Sequence, residues 1–294
     1  MIGSGAIGGV LAAAAHAAGH HVRLCVRTPF EKLTLDAPEG SSEVPVEIVA
    51  EPDSAADADW ASEVDWVLLT TKVQDVGSTN PWLRRFAGTG TPVVVVQNGV
   101  EHRESVEALG LQAPLLPALI YVGAERVRPG HIVRRSPTSM ILPADDLGEQ
   151  LVEVLSGSGV GLSTTADFHT AAWRKMLTNL AANPITALTL RRLDVFADPE
   201  FRELASGVLA EAVEVAQAEG ADVTTADAEK VLASFTGHFS ASTGTSMLYD
   251  RLAGVPTEHE HITGVLVRAG ERHGIPLPLN RTLLTLMRGL RPGT

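Results

Sequence analysis

The sequence predicts an α/β protein in two parts: residues 1–165 built on a mostly parallel sheet, and an all-helical domain over residues 166–294. A glycine-rich turn opens the first part, and continuous apolar runs such as PVVVV at 92–96 follow it. Such runs are typical of parallel strands that are covered on both faces. Beyond the boundary, long periodic patterns indicate helices, and no strand pattern is convincing.

The opening turn places Gly3, Gly5 and Gly8 in the G-x-G-x-x-G spacing, ahead of an alanine-rich helix. In a dinucleotide-binding unit the first glycine permits the tight turn, the second lets a pyrophosphate approach the backbone, and the third lets helix pack on strand. Only Met1 and Ile2 stand where a whole first strand is expected, which favours a start upstream of Met1 over a stunted strand. The expected cofactor-binding residues of this turn are Gly3, Gly5, Ala6, Ile7 and Gly8.

Arg27 follows the second strand pattern at 21–26, where an NAD-binding protein usually carries an acid for the ribose hydroxyls. A cation at this place favours the 2′-phosphate of NADP, so the expected cofactor is NADPH/NADP; a solvated strand-end arginine is the alternative. The next residues, from Thr28 to Glu31, predict a helix with a capping box, in which Lys32 would add a second cation.

Lys72 and Asn98 each follow an apolar strand pattern, at 64–71 and 92–96. Both therefore lie at carboxyl ends of strands, where ligands bind in open α/β sheets. A structural Asn-Gly turn is the alternative for Asn98. From Leu115 onward, shorter apolar pieces predict an antiparallel extension of the sheet.

A helix predicted over 167–182 carries Lys175, Asn179 and Asn183 at i, i+4 and i+8, so the three side chains form one polar stripe. The remaining positions are largely apolar, which indicates a helix mostly inside the protein. Pro184 is expected to end or kink this helix. A solvated helix face is the alternative for the stripe.

Ser246 begins a short predicted helix, and Glu258 follows Thr257, a possible cap of the next helix. The first turn of that helix would favour an ionised carboxylate at Glu258. The alternative is an ordinary helix-start acid with no further role.

Composition narrows the function classes. A formal charge of −12 without a long basic run argues against nucleic acid as a partner. The chain has no apolar run of transmembrane length and no signal-peptide pattern, so we expect a cytoplasmic protein without a membrane partner. The single cysteine, Cys25, excludes an internal disulfide. His259, His261 and His273 lack a partner set of ligands, so no metal site is expected.

Together these segments resemble the ketopantoate reductase (2-dehydropantoate 2-reductase) family. Besides the glycine turn, the resemblance rests on TKVQD at 71–75, QNG at 97–99, WRKMLTNLAANPITAL at 173–188 and SMLYDRLAGVPTEHEHITG at 246–264. It spans nearly the whole chain. The glycine turn is unspecific, whereas the last two segments and their spacing are quite specific.

The resemblance implies an N-terminal Rossmann-like NADP-binding domain and a helical C-terminal domain of the 6-phosphogluconate dehydrogenase type. It implies NADPH-dependent reduction of 2-dehydropantoate to pantoate by hydride transfer, in pantothenate and coenzyme A biosynthesis. Lys175 would be the general acid, and Glu258 would contact the substrate hydroxyl. Substrate binding would involve Asn98, Asn179, Asn183 and Ser246; cofactor binding would involve Lys72, Asn98 and Glu258 as well as the glycine turn and Arg27.

Two alternatives remain open at this point. The chain could reduce another branched 2-oxo acid, because the apolar residues that shape a pocket cannot be placed from one sequence. It could also be a non-catalytic NADP(H)-binding protein of the same fold, although such a protein would have little use for Lys175, Ser246 and Glu258 together. The expected partner is a small-molecule 2-oxo acid, and the expected state is a monomer or a homodimer.

Overall fold

The computed structural model describes residues 1–52, 63–237 and 240–290. The chain forms two compact units, one made of Met1–Gln97 with Glu101–Phe168 and the other of Asn98–Val100 with His169–Thr294. All strands of the described residues lie in the first unit, and the second is helical. The predicted combination of a parallel-rich α/β part and a helical part is confirmed.

The described residues of the first unit form three sheets. Its strands are β1 Arg23–Cys25, β2 Leu33–Ala37, β3 Gly40–Val44, β4 Glu47–Val49, β5 Val67–Leu69, β6 Val93–Val96, β7 Leu115–Tyr121, β8 Ala124–Arg128, β9 His131–Arg134, β10 Ser139–Pro143 and β11 Gly161–Thr165. Five of them form a sheet in the order β11-β10-β7-β6-β5, in which only the β7–β10 pair is antiparallel. The helices are α1 Ala6–Ala17, α2 Asn80–Phe86, α3 Glu104–Glu107 and α4 Asp146–Val154, and a 3₁₀ helix spans Val73–Thr79.

A two-residue stub occupies the place of the missing first strand. Ile2 bridges in parallel to both Cys25 and Leu69, and so connects the β1–β4 pair with β5. The amide of Ile2 donates to the oxygen of Leu68 over 2.8 Å, and the amide of Cys25 donates to the oxygen of Met1 over 2.8 Å. The Ile2 side chain is buried. The stub therefore pairs on both sides, as a central strand does.

The helix predicted after Arg27 is wrong, because β2 and β3 form an antiparallel hairpin there. β2 also pairs in parallel with β9, so a long-range ladder overrides the local capping signal. Lys32, proposed as a second cation, is exposed, and its Nζ forms an ion pair with Glu43 Oε2 at 2.7 Å.

The antiparallel extension predicted from Leu115 is partly wrong. β7 continues the parallel sheet beside β6, and only its pairing with β10 is antiparallel. The β8–β9 hairpin joins β2 and β3 in a separate four-stranded sheet. β11 was not predicted from the sequence; GLSTT has little apolar character, because this strand lies at the edge of its sheet.

The helices of the second unit are α5 Phe168–Thr189, α6 Pro199–Ala218, α7 Thr225–Gly237, α8 Ser246–Leu252, α9 Thr263–His273 and α10 Pro278–Arg288, with a 3₁₀ helix at Leu193–Ala197. One apolar core holds them together. Trp173 of α5 and Phe196 of the 3₁₀ helix are its largest fully buried side chains. This core fixes the backbone of α5, which carries the polar stripe.

Pro184 was expected to end or kink α5. It does not end the helix, which continues to Thr189. Pro184 removes one backbone donor, but every residue from Leu180 to Ala187 is buried, so packing stabilises the continued helix. Thr186 Oγ1 also donates to the oxygen of Ala182 over 2.8 Å.

No helix of the described residues combines the length and the apolar character needed to cross a membrane.

Candidate functional site

The glycine turn has the geometry that a phosphate-binding turn requires. Gly3 has φ of +110°, which side chains rarely adopt. A Cβ on Gly8 would clash with the backbone oxygen of Gly3 and lie 2.7 Å from Thr70 Oγ1, so the third glycine is required for packing. A Cβ on Gly5 would meet no protein atom within 4 Å. The space beside the second glycine is therefore open to a ligand.

Helix α1 starts directly after that open space. Its N-cap is Gly5, which provides no side-chain cap, and no acidic side chain lies in its first turn. The first amide groups of any α-helix lack intrahelical acceptors, and the helix dipole adds positive potential there. Those amides belong here to Ala6, Ile7 and Gly8. The turn fits the pyrophosphate of a dinucleotide.

Lys72 and Arg27 follow strand ends in the same unit. Lys72 is half-buried and precedes the 3₁₀ helix at Val73–Thr79. Arg27 lies two residues beyond β1 and is exposed, so its guanidinium is accessible to a phosphate.

Gln97 connects the loops that follow β5 and β6, a role the sequence analysis missed. Its side chain is buried; Nε2 donates to the oxygen of Thr71 over 3.0 Å, and Oε1 accepts from Ser105 Oγ over 2.9 Å. The signal available in the sequence was an amide side chain directly after a fully buried strand. Gln97 holds the backbone that precedes Lys72.

In the second unit, three of the expected site residues form a hydrogen-bond chain. Lys175 Nζ donates to Asn98 Oδ1 over 3.3 Å, and Asn98 Nδ2 donates to Glu258 Oε2 over 3.4 Å. Gly99 has φ of +102°, and a Cβ there would lie 3.0 Å from the oxygen of His261. A glycine after Asn98 therefore permits the close approach of its backbone to the segment that carries Glu258.

Glu258 does not lie in the first turn of a helix, as the sequence had suggested. Helix α9 begins only at Thr263, and the carbonyl of Glu258 accepts from the amides of His261 and Ile262 at 3.0 and 3.1 Å. The carboxylate is therefore carried by a turn before the helix, and Glu258 is only 7% exposed. A buried carboxylate requires polar partners, and Asn98 provides one of them.

Burial lowers the pKa of the Lys175 ammonium to about 8, and the nearby Glu258 carboxylate opposes this effect by raising the pKa. Desolvation is the larger of the two influences. A lysine with such a pKa is mostly protonated at neutral pH and releases its proton far more readily than a surface lysine does.

Asn179 and Asn183 continue the stripe along α5 with unsatisfied donors. The Nδ2 atoms of both residues are buried and have no hydrogen-bond partner among the described residues. A buried donor without an acceptor costs about 1–3 kcal/mol. Trp173 Nε1 on the same helix is also without a partner, but only the two asparagines share the polar stripe of Lys175, so their Nδ2 atoms are the candidate donors to a ligand.

Ser246 is the first residue of α8 and is exposed. The preceding residue, Thr245, caps this helix, with its Oγ1 accepting from the amide of Leu248 over 3.1 Å. The structure thus brings Lys175, Asn98 and Glu258 together by hydrogen bonds, and Ser246 is not a link of that chain.

Two family models and full-length relatives of the chain name one family. The ketopantoate reductase PanE/ApbA family matches residues 1–146, and the C-terminal domain of the same family matches residues 167–291. The chain is 35% identical over 290 residues to 2-dehydropantoate 2-reductase of Caulobacter vibrioides, covering 98% of this chain and 97% of the relative. The chain belongs to the ketopantoate reductase family.

Further similarities extend along the whole chain. The 2-dehydropantoate 2-reductase of Mycobacterium tuberculosis is 32% identical to this ketopantoate reductase family member over 293 residues, covering 100% of the chain and 97% of the relative. The crystal structure of a PanE/ApbA family ketopantoate reductase from Ralstonia eutropha superimposes with a TM-score of 0.85 at 27% identity, covering 98% and 96% of the two chains. The resemblance inferred from the sequence motifs is confirmed.

Within the described ranges, this family member has no cluster of three or more His, Cys, Asp or Glu side chains that could hold a metal ion.

The glycine turn yields a test that separates packing from ligand binding. We expect Gly5→Ala to leave stability within about 0.5 kcal/mol of the parent, because the added methyl group meets no protein atom. The same variant should lose at least about tenfold in affinity for NADPH, the expected cofactor, because the methyl group occupies the phosphate space. Thermal unfolding and a cofactor titration measure the two effects.

Gly8→Ala is the matched control, since its methyl group clashes with the protein itself. It should lower stability by about 1–3 kcal/mol, with cofactor binding reduced as a consequence. Unchanged NADPH affinity in Gly5→Ala would contradict the assignment of this turn.

Proposed function

We propose that this protein catalyses the NADPH-dependent reduction of 2-dehydropantoate to pantoate, in pantothenate and coenzyme A biosynthesis. The main support is the series of hydrogen bonds from Lys175 through Asn98 to Glu258, together with a lysine pKa of about 8. Two relatives that cover nearly the full chain, at 35% and 32% identity, are 2-dehydropantoate 2-reductases. Family membership and a proton donor of suitable acidity support the same reaction.

Lys175 acts as the general acid in this proposal. NADPH held by the glycine turn would supply the hydride for the carbonyl carbon of the 2-oxo acid and leave as NADP⁺, while the electron pair of the C=O π bond goes to the oxygen. The Lys175 ammonium polarises that oxygen and then transfers a proton to it, so the product is a neutral hydroxyl and the lysine becomes neutral. The lowered pKa favours this transfer, and Glu258 keeps the lysine protonated beforehand.

The polar groups around Lys175 hold the substrate. The free Nδ2 donors of Asn179 and Asn183 match the acceptor oxygens of a 2-oxo acid. Ser246 adds a hydroxyl donor, and Glu258 accepts from the substrate hydroxyl. Asn98 orients Lys175 and Glu258, because its amide bonds both side chains.

The proposed substrate-binding residues belong to the second unit, and most of the proposed cofactor-binding residues belong to the first. There the glycine turn binds the pyrophosphate at the start of α1, and Arg27 binds the 2′-phosphate. Lys72 contributes a cation near the cofactor. Asn98 and Glu258 are further candidate cofactor residues.

A direct assay tests the proposed function and the general acid. We expect NADPH oxidation with 2-dehydropantoate to exceed that with 2-oxoisovalerate or pyruvate. Lys175→Ala should lower kcat by about 10²–10⁴-fold while NADPH binding is retained, because the acid is lost and the cofactor turn is untouched. Lys230→Ala, at an exposed lysine of α7, is the control and should be fully active.

A strong preference for another 2-oxo acid would replace the substrate assignment. Cofactor binding without turnover of any 2-oxo acid would reject the enzyme, and a Lys175→Ala variant with most of its activity would reject the general acid.

The pH dependence of kcat/KM tests the electrostatic coupling of Lys175 and Glu258. Reduction requires protonated Lys175, so kcat/KM should fall about tenfold per pH unit above a pKa near 8. Glu258→Gln removes the influence that raises this pKa, so the falling limb should move to lower pH. Glu260→Gln, at an acid paired with Arg288, is the control and should leave the limb in place. If the falling limb of the Glu258→Gln profile moved to higher pH instead, the result would contradict this coupling.

Cofactor preference tests the assignment of Arg27. Arg27→Ala should weaken NADPH binding about tenfold and NADH binding little, because only NADPH carries the 2′-phosphate. Lys32→Ala should change neither, since Lys32 is paired with Glu43. Both affinities can be measured by titration, and equal losses for the two cofactors in Arg27→Ala would remove the assignment.

A further inference from the structure

A buried pair of hydroxyl groups connects two elements that carry expected substrate residues. Thr186 of α5 is fully buried, and its Oγ1 lies 2.7 Å from Oγ1 of Thr245. Thr186 follows Asn183 by three residues, almost one helical turn, and Thr245 directly precedes Ser246. Thr186 Oγ1 also lies 3.2 Å from the backbone oxygen of Asn183, so the hydroxyl pair links that backbone with the residue before Ser246.

The neighbouring hydrogen bonds indicate which of the two hydroxyl groups is the donor. Each hydroxyl has one proton to donate. Thr186 Oγ1 is 2.8 Å from the oxygen of Ala182, and Thr245 Oγ1 accepts from the amide of Leu248. Thr186 then donates to its own helix and accepts from Thr245. The result is a continuous chain from the first turn of α8 into α5.

We infer that Thr186 and Thr245 are positioning residues that place the Ser246 hydroxyl relative to Asn183 for substrate binding. The inference rests on the proposed function of these two side chains. Helix α8 has only seven residues, too few for independent stability, so its start depends on the capping hydroxyl and on packing. Fixing Thr245 through Thr186 fixes where Ser246 begins the helix.

The test is a substitution that removes one hydroxyl and keeps the side-chain volume. Thr186→Val should raise KM for 2-dehydropantoate about five- to tenfold, with kcat and NADPH affinity changed less than about twofold. Thr186→Ser should restore KM, because it restores the hydroxyl. Thr189→Val is the matched control: Thr189 also donates to its own helix, at the oxygen of Ile185, and should leave KM unchanged.

A double-mutant cycle separates positioning from a general loss of structure. If Thr186 acts through Ser246, Thr186→Val should raise KM less than about twofold further in a Ser246→Ala background. Full additivity, or an unchanged KM in folded Thr186→Val, would overturn the inference. If Thr186→Val fails to fold, the half-buried Thr245 provides the same cycle, with Thr245→Ala as the loss and Thr245→Ser as the rescue.

The two proposals can fail separately. A parent protein that does not reduce 2-dehydropantoate overturns the proposed function and this inference with it. An active parent whose threonine and Ser246 effects add independently overturns this inference alone.

Discussion

The burial of one ammonium group on α5 is the constraint on which the proposed site depends. Lys175 lies on a helix whose other faces form the core of the second unit, so its charge is largely removed from water. Burial disfavours the charge and Glu258 favours it, and the balance leaves the pKa near 8. An exposed lysine would be a weaker acid, and a lysine buried without the carboxylate would have a pKa lower still. Asn98 joins the two charged groups by accepting from one and donating to the other.

Two backbone features position side chains of the proposed site. Gly99 adopts a positive φ and lets the segment after β6 approach the turn at Glu258, so Asn98 can reach the carboxylate. Helix α5 continues through Pro184, which keeps Asn183 inside a packed helix instead of at a frayed end. Both features cost conformational or hydrogen-bonding free energy locally, and the surrounding core offsets that cost.

How much the sequence could predict depends on how far apart along the chain the interacting residues are. The stripe of Lys175, Asn179 and Asn183 was predictable because its members share one helix. The contact of Asn98 with Lys175 and Glu258 joins residues 77 and 160 positions apart, and no local pattern encodes it. For the same reason the β2–β3 hairpin was missed, since its pairing with β9 overrides a local helix signal. The roles of the individual site residues remain predictions.

The unsatisfied amides of Asn179 and Asn183 show how stability and binding are related in this unit. A buried donor without any acceptor costs about 1–3 kcal/mol, and the Nδ2 atoms of both asparagines have no acceptor among the described residues. A ligand with acceptor oxygens would recover that free energy on binding, because it satisfies donors already held in place by α5. Because both asparagines lie on a packed helix, their side chains lose less conformational entropy on binding than exposed side chains would. If the proposed function is correct, these amides are donors that α5 holds in place before the substrate binds.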